Sequence, residues 1–192
     1  MTKRTSSSAI TESTASTRCQ SAVTPADPRP AAVTMLVGNI VCSVGFLLGF
    51  FRLSDGGDEA IEPVALLSVG GLGILSFVRH AVLHRSDAAR MKWDLGGRTD
   101  YFQIEVGMAN LAWGVVAVIA VLGDWGTTTL AAITAVFGLY LLFAASIHVR
   151  LLLGGPPDQR RSPTQVVPIV VVSIVMLFFA IAGLASADAT PF

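Results

Sequence analysis

Five times along the chain a mostly apolar run of about twenty residues or more opens after a polar stretch and closes at a cluster of turn formers. The runs cover residues 31–53, 61–84, 101–122, 127–153 and 163–185. Each is long enough to cross about 30 Å of hydrocarbon as a helix. In lipid a backbone must satisfy its own hydrogen bonds, so the pattern predicts helices and not open strands. The separators "SDGGDE", "KWDLGGRTD", "GDWG" and "GGPPDQRRSP" are rich in Gly, Pro and Asp. The third is so short that the helices flanking it must form an antiparallel hairpin. The expected architecture is all-α: a polytopic membrane bundle of five transmembrane helices over residues 31–187.

The flanks differ in kind. Residues 1–30 hold six Ser, six Thr and three Pro, with almost nothing large and apolar. Such a segment cannot bury enough surface to offset its ordering entropy, and we expect a disordered tail. No apolar stretch follows Lys3 and Arg4 closely, as a secretory signal would require. Residues 188–192 form a short C-terminal tail.

Charge then orients the bundle. With the N-terminal tail in the cytoplasm, 12 of the 13 Lys and Arg residues fall on that side and only Arg52 falls opposite. The far side carries Asp55, Asp58, Glu59, Glu62, Asp124 and Asp188. Lys and Arg favour the cytoplasmic side, so the N-terminus is expected in and the C-terminus out, in a bacterial-type cytoplasmic membrane. Composition agrees: 53% of residues are hydrophobic and 14% charged, against about 25% charged in soluble domains. Net charge is zero, which leaves no global field to draw in nucleic acid. Cys19 and Cys42 form neither a disulfide framework nor a metal-binding pair.

Small residues line two helices: Gly38, Cys42, Gly45 and Gly49 in the first, Gly107, Asn110 and Gly114 in the third. They let helix backbones approach closely. Packing within the chain is the default use, and a homo-oligomer or another membrane protein is the other partner they would suit.

The candidate chemistry gathers at one surface. The stretch "FVRHAVLHR" ends the second run with His80 and His84, His148 ends the fourth, and Glu105 lies near the start of the third. All four fall in the same leaflet under this topology. His80 and His84 share a helix face, whereas Glu105 and Gln103 point about 160° apart. We expect Glu105 to join the histidines, and Gln103, Asn110 and Asn39 to support the site or bond a neighbouring helix. Three imidazoles and a carboxylate suit a transition metal, zinc or iron; paired histidines also suit haem. A second reading is a proton-coupled carrier or a binder of a small molecule such as a quinone or lipid. A third is a structural or partner-stabilising subunit, because helix dipoles alone favour cations at C-termini and anions at N-termini. No phosphate-binding loop and no catalytic triad spacing is present, so no reaction follows. Trp93, Trp113 and Trp125 read as interfacial or packing aromatics, and Arg85, Arg90, Lys92 and Arg98 as topology determinants.

At "FQIEVGMANLAWGV", residues 102–115, the chain resembles a family of small bacterial multi-pass membrane proteins of uncharacterised function. The likeness rests on Phe-Gln-x-Glu-x-Gly followed by an Asn-Leu-Ala-x-Gly-like stretch. The resemblance implies a histidine on the preceding helix, at His80 or His84, and another at His148. The chain departs from the family pattern in the longer link between Trp93 and Phe102 and in "VRLLLGGPPDQRR" after His148. It departs again where Thr164 or Gln165 replaces an acid before Pro168. The resemblance implies the membrane fold and these residues, and no activity.

Overall fold

The apolar runs fold as long helices, and the computed structural model of the chain describes residues 26–91, 98–156 and 160–189. The tail through residue 25 with Cys19, the loop residues Lys92 and Trp93, and residues 190–192 lie outside these. In chain order the helices are α1 (Arg29–Arg52), α2 (Gly57–Val82), α3 (His84–Arg90), α4 (Tyr101–Leu122), α5 (Thr127–Gly154) and α6 (Pro163–Ala189). All except α3 are long and apolar enough to cross a membrane, and no strand occurs among the described residues. Their outer faces carry exposed Leu36, Ile40, Leu47, Ile119, Ile174 and Ile181. A water-soluble fold would bury such side chains, whereas a bilayer accepts them.

Local chemistry sets the ends. Pro30 lies in the first turn of α1, where a missing N–H costs nothing. Asp100 Oδ1 accepts from the Gln103 amide at 3.1 Å and caps α4. The turn between α4 and α5 needs left-handed backbone at Asp124 (φ 49°) and Gly126 (φ 80°). It folds α5 back against α4, so that Asn110 Nδ2 donates to Tyr140 Oη at 3.3 Å across the hairpin.

Glycine brings the helices together. A Cβ on Gly45 would sit 2.4 Å from Ser68 Oγ, and one on Gly49 would sit 2.7 Å from Val64 Cγ2. Between α2 and α4, a Cβ on Gly73 would lie 2.7 Å from Asn110 O and one on Gly114 2.9 Å from Gly70 O. Both small-residue stripes therefore pack inside the chain. The close approach lets dispersion contacts accumulate where lipid supplies no hydrophobic drive. α6 packs on α5, and Phe46, Phe50, Phe178 and Phe179 stack where α6 meets α1. Phe137, Met176, Ile61 and Val64 complete the buried centre.

Two features depart from the sequence pattern. α2 is not a uniform α-helix: π-helical segments at Val64–Gly71 and Val78–Val82 interrupt it. Pro63 has no N–H with which to continue the α ladder, and the first wide turn begins at the next residue. The second departure is α3. At Leu83 (φ −100°, ψ 24°) the chain leaves the span, and His84 opens a short separate helix instead of closing the long one. Ser86 Oγ ties this helix to α1 by donating to Asp27 O at 2.6 Å and accepting from Ala31 N at 3.1 Å. α3 thus packs on α1 and on the end of α2, and the end of α2 packs in turn on α4.

Candidate functional site

The last π turn of α2 carries Arg79 and His80, and α3 turns a carboxylate back toward them. Asp87 is that residue, with its side chain only 2% exposed. Its Oδ2 lies 3.2 Å from His80 Nδ1 and 3.9 Å from Arg79 Nε, and its Oδ1 accepts from Arg90 Nε and Nη2 at 3.0 Å each. The His80 contact is close but not aligned as a good hydrogen bond. Arg79 Nη2 meets His80 Nε2. A guanidinium only donates, so Nε2 must accept and the ring proton belongs on Nδ1, facing Asp87. Arg79, His80 and Asp87 therefore form a directed polar chain, closed from the far side by Arg90.

Its electrostatics follow from burial and charge. Burial works to raise the Asp87 pKa, but contact with His80 and the charges of Arg79 and Arg90 outweigh it and hold the carboxyl at about 2. Two guanidiniums share this one carboxylate, leaving the network one positive charge in excess when His80 is neutral. Arg90 takes the better geometry, and Arg79 Nε is buried without a hydrogen bond. Met91 Sδ accepts from Arg90 Nη2 at 3.0 Å and from Arg161 Nη1 at 3.3 Å. Burial, then the neighbouring charge of Arg90, lower the Arg161 pKa against the opposing pull of Asp87.

The residues singled out from sequence are spread around this network. His80 is within it, and both its ring nitrogens face protein partners. His84 sets Nδ1 3.2 Å from Ala81 O, and its Nε2 is buried without a hydrogen bond. His148 is half-buried at the same end of the bundle, within electrostatic reach of Arg161 and Arg79. Glu105 is exposed on α4. Gln103 is buried at 3% exposure with neither amide atom hydrogen-bonded. Asn110 donates to Val106 O at 2.7 Å as well as to Tyr140, and Asn39 is exposed on α1. Among the described residues no three His, Cys, Asp or Glu side chains come together in a way that could hold a metal ion. For His80 to ligate one, Arg79 or Asp87 would have to release a ring nitrogen.

Sequence reasoning passed over Asp87, the centre of the network. The signal was present in "RHAVLHRSDAAR": one acid seven residues after a histidine and three before an arginine. The i, i+3 spacing of Asp87 and Arg90 marks partners that meet on one helix surface, whereas the approach of Asp87 to His80 depends on the break at Leu83. Read as a topology-determining basic run, the segment hid its single carboxylate.

Residues 29–191 match the model of a family described only as of unknown function, DUF6790. No curated protein and no solved structure matches the chain.

Proposed function

The chain belongs to DUF6790, a family of unknown function, and on that premise we propose that it is a multi-pass membrane protein whose Arg79–His80–Asp87–Arg90 network binds a small anionic group. Of the readings the sequence leaves open, a small-molecule binder is the one this network favours. The observation that carries the reading is Arg79: half-buried, shared with Arg90 on one carboxylate, and left with a buried Nε that makes no hydrogen bond. A buried charge is costly unless it is paired and its donors are satisfied. An anion would supply both, and an arginine fork suits a carboxylate or phosphate. Asp87 keeps the site from being a bare cluster of cations, and His80 meets Arg79 Nη2. We further propose that the N-terminus faces the cytoplasm, so that the site opens toward that side of a cytoplasmic membrane.

The test is a thermal-stability titration of detergent-purified protein with inorganic phosphate, against chloride at equal ionic strength. A ligand at about 100 times its Kd adds about 2.7 kcal/mol, which shifts the midpoint by several degrees. We expect a saturable rise in wild type and none in Arg79→Gln. A response to phosphate no larger than that to chloride would sink the reading.

A further inference from the structure

The small residues of α1 turn inward, and α1 is the least buried of the five spanning helices. Most of its free side is aliphatic, as lipid requires, with Leu36, Ile40 and Leu47 exposed. Asn39 breaks that pattern. It is exposed, and neither it nor Ser43, one turn on, makes a side-chain hydrogen bond among the described residues.

Depth makes the exception costly. Asn39 lies about 15 Å along the axis from the first residue of α1 and about 20 Å from the last. That is near the middle of about 30 Å of hydrocarbon. An asparagine side chain is too short to reach either interface from there, and no water is at hand to bond an amide left bare. The surroundings are shaped for a helix. Asn39, Ser43 and Leu47 form one row and Ile40 and Val44 another, with a furrow between them. A ridge of side chains on a second helix can enter such a furrow, and Ser43 is small enough to let the backbones close.

We propose that this face is the interface of a parallel dimer, and that its occupant is α1 of a second copy of this chain. Depth and chemistry select a copy over an unrelated partner. Every copy is inserted in the same sense, so α1 meets α1 in parallel. A two-fold axis along the membrane normal then brings Asn39 to Asn39 at one depth. A primary amide donates through Nδ2 and accepts through Oδ1, so two of them satisfy each other across the axis. An unrelated helix would need a polar group of its own at mid-membrane to do the same. A lone asparagine in an apolar helix pair also fixes register, because any slip along the axis leaves it unpaired.

The experiment reads energy transfer between full chains labelled at the N-terminus with donor or acceptor dye, in liposomes at falling protein-to-lipid ratio. Wild type, Asn39→Leu and Asn39→Gln are compared; residue 39 faces outward, so leucine there leaves the fold intact. We expect a dimer in wild type, about tenfold weaker in Asn39→Leu, and largely restored in Asn39→Gln, which keeps the amide. In a Cys19→Ser background, Ile40→Cys should form a disulfide-linked dimer on mild oxidation in the membrane. Ile181→Cys, exposed on α6, should not. Transfer no greater than chance proximity at every ratio would overturn the proposal. A dimer indifferent to Asn39→Leu would overturn the asparagine contact. Cross-linking at Ile181→Cys in place of Ile40→Cys would move the interface off α1 and overturn the face.

Discussion

Asp87 is shared by two arginines and faces a histidine, and its removal should be felt at once. Asp87→Asn would leave Arg79 and Arg90 facing each other with no carboxylate between them. Breaking a buried pair from one side costs about 3–5 kcal/mol, so the variant should melt well below wild type in detergent. The same residue predicts an acid sensitivity. Its folded-state pKa is depressed from 3.8 to about 2, so its contribution is complete above about pH 4 and is lost as pH falls toward 2. The shift corresponds to about 2 kcal/mol. Unfolding curves at pH 5 and pH 2.5 should show a larger loss in wild type than in Asp87→Asn; parallel losses would argue against the network. His80 was legible at this scale because histidine at the end of an apolar run stands out. Its partner was not, because a short polar segment has no apolar period to announce a helix, and the contact depends on how α3 turns back.

At the scale of helices, glycine positions separate into those that cannot accept a methyl group and those that can. Gly114→Ala would drive a Cβ to 2.9 Å from Gly70 O and Ile74 N, both backbone atoms that can move only if α2 and α4 part. Overpacking of this kind costs about 1–3 kcal/mol. Gly38→Ala meets Leu72 at an ordinary 3.4 Å and should be neutral within about 0.5 kcal/mol. Thermal midpoints of the two variants check the contrast, and equal effects would contradict the packing described. The stripes holding these glycines were readable from spacing alone, as were the five apolar runs. The π turns of α2 were not. Hydropathy records which residues avoid water and carries no mark of whether a carbonyl bonds the fourth or fifth N–H along.

For the whole molecule, the alternation of basic and acidic ends makes a clear forecast. A periplasmic-type reporter enzyme fused after residue 187 should be active, and the same reporter fused in the loop before α4 should be silent; the reverse result would invert the bundle. Arg52, the basic residue expected on the far side, pairs loosely with Glu62 at 3.6 Å and Glu59 at 4.0 Å, all half-exposed. Such exposed pairs add little stability, so the asymmetry reads as an address and not as a brace. The count of spans was legible because the bilayer imposes a length on each helix; the packing of α3 on α1 and the end of α2 was not, because it depends on tertiary contacts. The wide turns of α2 also give that helix a phase as well as a length. A π turn holds about one residue more than an α turn, so a deletion anywhere in 64–71 could be absorbed by closing the ladder. A deletion in 72–77, where the ladder is already α-helical, would instead rotate everything beyond by about 100°. Arg79 and His80 would remain in the chain at nearly the same depth yet swing away from Asp87. The helix therefore behaves like a dial, and two chains with the same polar residues would differ in what they hold according to where that dial is set.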